Sequence, residues 1–291
     1  MISPVEAILG PIVDLGKVVI GPTKTPERLS AVSSSVTSID VPGAIRKGEI
    51  RVEEALRNVP ATDVVENGSV GPVSVFMRGA NSNHTLVLLD GVKLYDPISP
   101  TGAFDFTDLT LDNLERIEVV RGAQSSLYGS DAIGGLINIE TKKAMNNFVN
   151  LIFDTGSFYT THEAFEAGAY VKRLHFTVGG SQFNTKGISQ AQAKDNNPER
   201  DPYERTSFSA RVDYDLTDNL TVGGTFRSML SHAKYDQFGM DVPTLNYRHE
   251  TYVFSHPPPF KISLTSISSF SQGSKWKLFW QASVVGRYIK I

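Results

Sequence analysis

From Phe148 to Arg227 the chain alternates apolar and polar residues through segment after segment, and this period of two limits its fold more than any other feature. Val149, Leu151 and Phe153 share one parity, with Asn150 and Asp154 on the other. Phe165, Ala167, Ala169 and Val171 stand opposite His162, Glu166 and Tyr170, and Leu174, Phe176 and Val178 alternate with His175 and Thr177. The clearest run sets Phe208, Ala210, Val212, Tyr214 and Leu216 against Ser207, Ser209, Arg211, Asp213 and Asp215. Leu220, Val222, Gly224 and Phe226 then oppose Thr221, Thr225 and Arg227. Segments of about ten residues with one apolar face suit a wall between lipid and an aqueous lumen. A soluble β-sandwich has the same period, so alternation alone leaves both open.

The connections separate the two. In chain order they are Gly156–Thr161, Lys172–Arg173, Gly180–Arg205, Thr217–Asn219 and Ser228–Glu250. The second and fourth fall on one side of the wall and are tight; the third and fifth fall on the other and are long. Outer-membrane barrels have short periplasmic turns and long outer loops, so the pattern favours a barrel. No run of about 18 apolar residues is present, which excludes a transmembrane helix and says nothing against strands. Five or six strands cannot close around a domain, because plugged barrels use about 22. The expected wall is therefore an incomplete part of a barrel. After Glu250 no acidic residue follows, whereas Lys261, Lys275, Lys277, Arg287 and Lys290 do, with Trp276, Trp280 and Pro257–Pro259. Phe260–Ser271 fits one more strand, and nothing is assigned beyond Gly273.

The first half reads as a small α+β unit. Arg51–Val59 places Val52, Ala55, Leu56 and Val59 on one helical face, and Pro60 stops it. Val73–Arg78 is a short strand with Val73, Val75 and Met77 on one face. His84–Leu94 holds two apolar runs joined by Asp90-Gly91, the preferred pair for a type I′ hairpin. Leu114–Val120 and Leu136–Ile139 are further expected strands, and the unit ends near Lys143.

Little points to catalysis. Gly129–Gly135 lacks the Lys-Ser/Thr that a phosphate loop needs, no Gly-x-Ser-x-Gly elbow is present, and the histidines are scattered. Asp90 reads as a turn residue and His84 as a packing or surface residue. With no cysteine, disulfides, thiolate metal sites and a cysteine nucleophile are excluded. A net charge of −3 gives no ground for a nucleic-acid partner. Met1–Gly16 has no basic residue and a broken apolar stretch, so no export signal is visible in the chain as written.

Arg121–Lys143 closely resembles the plug signature of TonB-dependent outer-membrane receptors, and so do Val75–Ala80, Leu86–Val92, Arg51–Pro60 and Asn113–Gly122. Within that family Arg78–His84 and Gly129–Gly135 look most like the vitamin B12 (cobalamin) receptors, whose residues are largely shared by siderophore receptors. The resemblance implies an α+β plug domain followed by antiparallel transmembrane β-strands, part of a barrel of about 22 strands in the cell outer membrane. It divides the chain into an N-terminal segment (1–30), a plug (31–143), the first barrel strands (147–272) and an unassigned tail (273–291). It implies energy-coupled uptake of cobalamin or a similar metal chelate, no enzymatic step, and TonB as partner. TonB would grip an extended segment by strand addition. By position that segment is Asp14–Ile20, with Asp14, Lys17, Val18, Val19 and Ile20 as contacts; Pro22 departs from the family pattern and lacks an amide for pairing.

Substrate contact is expected from the plug loops Asn67–Ser74 and Tyr95–Phe104, with Asn67, Ser69, Ser74, Tyr95, Asp96 and Phe104 as candidates. Cobalamin receptors hold calcium in an outer loop comparable to Lys194–Glu204. Here Asp195, Asn197, Glu199 and Asp201 head a set of oxygen donors that also includes Asn196 and Glu204. Arg78, Arg116 and Arg121 of the plug are expected to pair with inward wall acids such as Asp213 and Asp215, or else to be solvated. Two other readings remain at this point. One is a plug fragment that binds ligand or TonB without transport; the other is a soluble periplasmic binding protein.

Overall fold

The computed structural model describes residues 18–19, 27–28, 32–67, 72–96, 99–188, 200–217, 220–234, 246–255, 268–272 and 275–279. Near the start, β1 (Val18–Val19) pairs antiparallel with β2 (Glu27–Arg28). β3 (Ser35–Asp40) runs into α1 (Val41–Arg46), where Pro42 occupies the first turn and lacks only an N–H that a helix start leaves unpaired. α2 (Val52–Leu56) is capped by Glu54, whose Oε2 accepts from the Ile50 and Arg51 amides at 2.7 and 3.1 Å. It closes earlier than its apolar spacing suggests, because Pro60 disfavours helical backbone at Val59. β4 (Thr62–Glu66) and β5 (Val73–Met77) form a separate hairpin. β6 (Thr85–Leu89) and β7 (Val92–Leu94) turn through Asp90 (φ 49°) and Gly91 (φ 78°), the two positive φ angles that a type I′ turn requires. β8 (Leu114–Arg121), α3 (Ser125–Tyr128) and β9 (Gly135–Thr141) complete the plug.

The main plug sheet has the order β3-β8-β9-β6-β7, with β6 and β9 parallel and the other pairs antiparallel. The sequence reading missed β3 and β4 and placed β5 in this sheet. Both missed strands are short and lie at an edge or on a hairpin, so neither carries a strong apolar face. Leu56, Met77, Leu89, Leu109, Leu111, Ile117 and Ile137 form the larger core, and Met229 from the second half joins it. Leu86, Val120 and Leu136 pack on the opposite face.

The second half is one antiparallel eight-stranded meander: β10 (Phe148–Gly156), β11 (Thr160–Val171), β12 (Leu174–Thr185), β13 (Tyr203–Thr217), β14 (Leu220–Lys234), β15 (Asn246–Ser255), β16 (Ser268–Gln272) and β17 (Lys275–Phe279). Five or six strands were expected, and β17 lies in the tail left unassigned. KWKLF is too short for its alternation to stand out. β12 and β13 also run further than expected at their outer ends. There the outward side chains become polar (Gln182, Asn184, Thr206), so the hydropathy signal stops while backbone pairing continues. Tight 172–173 and 218–219 alternate with long 186–202 and 235–245, and this asymmetry stops at β15, since 256–267 falls on the tight side.

The alternation sorts as a wall demands. Val149, Leu151 and Phe153 are 72, 80 and 68% exposed on the outer face, and Phe165, Phe176, Phe208, Val212 and Leu216 continue that apolar surface. On the inner face His162, Glu166, His175, Ser209, Asp213 and Arg227 are buried against the plug.

Gly135 shows how tightly the plug layers meet. A Cβ there would lie 2.5 Å from both Met77 Sδ and the Val120 carbonyl oxygen. Gly135→Ala should therefore destabilise the plug by about 1–3 kcal/mol through overpacking, measured as a lower urea midpoint of the plug transition.

Candidate functional site

The plug meets the wall along a polar seam. Arg227, fully buried on β14, donates from Nη2 to the Thr110 hydroxyl (2.8 Å) and carbonyl (3.1 Å), and from Nη1 and Nη2 to the Asp112 carbonyl (3.2 Å each). Arg205 on β13 points at the Thr107 carbonyl from 3.5 Å. Arg211 donates to the Thr141 carbonyl (2.9 Å) and hydroxyl (3.0 Å), pairs with Asp90 at 3.5 Å and is held by Asp213 at 2.6 Å. Tyr203 donates its hydroxyl to Asp108 at 2.9 Å. Glu166 accepts from the Asn113 amide (2.6 Å) and from Lys142 (2.7 Å), and Asn113 Nδ2 reaches Ser209 (2.8 Å). Asn113 holds φ 58°, a conformation Asn tolerates well, and this turns its amide toward Glu166.

The direction of charge pairing differs from the expectation. Arg116 binds Glu118 (3.2 Å) and Glu140 (2.8 Å) inside the plug, and Arg121 donates to the Pro60 carbonyl. Asp213 is taken by Arg211, and Asp215 by His175 and Lys143. The reason is strand direction. β8 meets the wall at its Leu114 end, which carries Arg121 to the far end of the sheet. Arginines of the wall instead reach plug carbonyls. Asp90 is both the turn residue expected and a seam residue, accepting from the Thr141 amide and from Thr225.

Glu53 and Asp112 are among the plug carboxyls that titrate away from their ordinary range. Burial pushes Glu53 up to about 8 against the nearby Arg51 guanidinium, and neither oxygen accepts a well-directed hydrogen bond. For Asp112 burial also opposes the charge, but His162, Ser181 and Arg205 outweigh it and hold the carboxyl below its ordinary range.

A small cavity of about 90 Å³ lies on the plug between β6, β7 and the 99–104 segment. Tyr95 and Phe104 line it, as expected from their loop, together with Asn83, Thr101 and the ion-paired Lys93 and Asp131, which sequence reading passed over. Lys93 was legible only as the polar centre of Val-Lys-Leu, and Asp131 only as part of a glycine-rich turn. Phe104 stacks edge-on against Phe106 at 4.9 Å. Asp96 follows Tyr95 and is half-buried. Asn67 and Ser74 sit on the β4–β5 hairpin and do not line this cavity. Ser69 lies outside the described residues. Of the candidate TonB contacts, Val18 and Val19 form β1 and Val19 is fully buried; Asp14, Lys17 and Ile20 lie outside the described residues. Of the calcium set, Asp201 is buried and Glu204 exposed; Asp195, Asn196, Asn197 and Glu199 lie outside the described residues. No cluster of three acidic or imidazole side chains suited to a metal occurs among the described residues.

A mixed α+β domain held by a polar seam against the inner face of an antiparallel transmembrane wall defines a plugged outer-membrane barrel. Residues 28–136 match the family model described as the TonB-dependent Receptor Plug Domain. The described fold is similar to the siderophore receptor PirA of Acinetobacter baumannii (TM-score 0.57, 19% identity, 81% of this chain and 40% of that one). It is also similar to the siderophore receptor PiuA of the same organism (0.63, 16%, 84% and 38%) and to the ferripyoverdine receptor of the outer membrane of Pseudomonas aeruginosa (0.62, 13%, 87% and 41%). This chain thus spans about two-fifths of the length of these receptors. Residues 28–136 thus match a TonB-dependent receptor plug, and the strands that follow are similar in fold to the first wall strands of outer-membrane receptors.

Two outcomes test these contacts, one at the seam and one inside the plug. Arg227→Met leaves the Thr110 and Asp112 carbonyls without their donor and should cost about 2–4 kcal/mol, seen as earlier thermal unfolding and faster proteolysis near 107–113. Glu53, with a folded pKa above its unfolded one, contributes stability that is complete at low pH and lost as pH rises from 4.5 to about 8. Glu53→Gln should flatten that fall, leaving the variant more stable than the parent at pH 8 by on the order of a few kcal/mol in urea titrations.

Proposed function

We propose that this chain belongs to a receptor for energy-coupled uptake of a metal chelate, a ferric siderophore in first place and cobalamin in second. The observation that carries the reading is the plug itself, seated on the polar face of a lipid-facing wall. A domain in that position blocks the lumen, so a solute crosses only if the plug moves. The siderophore preference draws on the siderophore receptors PirA and PiuA, which are similar in fold; the cobalamin reading draws on the plug motifs at Arg78–His84 and Gly129–Gly135.

Plug movement needs an external pull, and strand addition by TonB to the segment around Val18 and Val19 supplies one. In the structure these two residues already pair with Glu27 and Arg28. TonB would take the place of that two-residue partner. The receptor forms and breaks no covalent bond. The cavity at Tyr95 and Phe104 is far below the 300–1,000 Å³ of a typical small-molecule pocket, so it would hold one edge of a chelate while outer loops cover the rest. Calcium at Asp195, Asn197, Glu199 and Asp201 would order one such loop, and a calcium-dependent change in its proteolysis is the check.

The deciding measurement is tryptophan fluorescence or calorimetric titration of the chain in detergent with ferric catecholate, ferric hydroxamate and cyanocobalamin. One of the iron chelates should bind, and Phe104→Ala with Tyr95→Ala should weaken it about tenfold or more, the loss expected for two aromatic contacts. Binding of cyanocobalamin alone reverses the order of the two ligands, and binding of none removes the uptake reading.

A further inference from the structure

Two histidines stand on the inner face of neighbouring wall strands, each wedged between a wall carboxylate and an acceptor on the plug side, Asp112 of the plug for His162 and Ala144 of the segment joining plug to wall for His175. His162 of β11 lies 3.2 Å through Nδ1 from Asp154 of β10 and 3.6 Å through Nε2 from Asp112 of the plug. His175 of β12 lies 2.6 Å through Nδ1 from the Ala144 carbonyl and 2.8 Å through Nε2 from Asp215 of β13. Both are 3% exposed. Ala144 sits in the short segment that leaves the plug at Thr141 and enters the wall at Phe148.

Carboxylates and carbonyls only accept. An imidazole has one proton when neutral and two when charged. His175 therefore satisfies both of its hydrogen-bond partners, and His162 holds its bond to Asp154 together with its ion pair to Asp112, only when both nitrogens carry protons. A neutral ring keeps its single proton on the side of the better acceptor. For His175 that is the Asp215 carboxylate, and for His162 it is Asp154, the nearer of two carboxylates. In both cases the contact given up is the one on the plug side, to Asp112 or to the Ala144 carbonyl of the joining segment. We propose that His162 and His175 form a proton-operated clasp between plug and wall, closed when both rings are charged and released on the plug side when they are neutral.

The surroundings fit this direction. Around His162 the charged groups are Asp154 of β10, Asp112 of the plug and Arg205 of β13, which lies against the Phe183 ring beside the imidazole. Arg227 of β14 binds the backbone of Asp112, and Glu166 on the His162 face of β11 is engaged by Lys142 and Asn113. Around His175, Tyr170 of β11 stacks at 4.4 Å, and β13 presents Asp213 and Asp215. Arg211 holds Asp213 and Lys143 of the linker lies 3.5 Å from Asp215, while Thr221 of β14 donates to that carboxylate. Each histidine thus has a carboxylate to retain and a plug-side acceptor to lose. The clasp depends on the seam and not on which ligand the receptor carries, so a failed titration with chelates leaves it standing.

Hydrogen exchange on the chain in detergent tests it. The reporters are the amides of Asn113, bonded to Glu166, and Lys142, bonded to the Asn113 carbonyl. After correction for intrinsic chemistry, their protection should fall roughly tenfold per histidine between about pH 5.5 and 8, the loss of a charge-assisted hydrogen bond at His175 and of a buried ion pair at His162. In the His162→Gln, His175→Gln double variant the profile should be flat. An unchanged slope in that variant, or a flat profile in the parent, overturns the clasp. Should the double variant fail to fold, nitrogen-15 spectra of the parent imidazoles decide. Both nitrogens of both rings must carry protons at the acid end, and a neutral tautomer there ends the proposal.

Discussion

A strand wall with lipid on one side must present polar groups on the other, and the rest of this structure follows from that division. In hydrocarbon each backbone amide and carbonyl has to be paired within the protein, which the continuous ladders from β10 to β15 accomplish. With Val149, Leu151, Phe153, Phe165 and Phe208 committed to lipid, the alternate residues face the lumen and meet the plug. A conventional apolar core between the two is largely ruled out by geometry. Among the described residues, Met229 alone crosses from the wall into the plug core.

The seam is polar as a consequence, and its chemistry is specific. Buried arginine is tolerable when several of its donors are satisfied, and backbone carbonyls of an irregular loop are good partners because that loop has no ladder of its own. Arg227 takes the carbonyls of Thr110 and Asp112 and Arg205 approaches that of Thr107, all in that loop, while Arg211 takes that of Thr141 at the end of β9. Such contacts fix position with little bulk. They also break one by one, as a domain that has to move within a lumen requires. Buried hydrogen bonds to charged groups weigh heavily in place and are replaced by water once exposed. A plug held this way can be rigid at rest and yet separable under load.

The wall was legible because its signal is local and periodic. Each residue's face follows from its own parity, and on β11–β13 the faces read from sequence largely match the burial observed. Asp90-Gly91 was legible for the same reason, as two adjacent residues specify their turn. Legibility failed where a residue's neighbours are distant in the chain. Arg116 and Arg121 looked available for wall acids, but β8 runs away from the wall and leaves them among plug groups. The cavity shows the same limit, since Tyr95 and Phe104 were found through their loop whereas Lys93 and Asp131, 38 residues apart, gave no local sign of meeting.

The sequence by itself determined the two-part organisation, the faces of the wall and the plug motifs, because parity, turn pairs and contiguous signatures depend only on nearby residues. Tertiary structure alone decided which charge meets which. The partners of Arg227, His175 and Glu166 lie 115, 31 and 53 residues away, and only strand direction and register bring them within hydrogen-bonding distance.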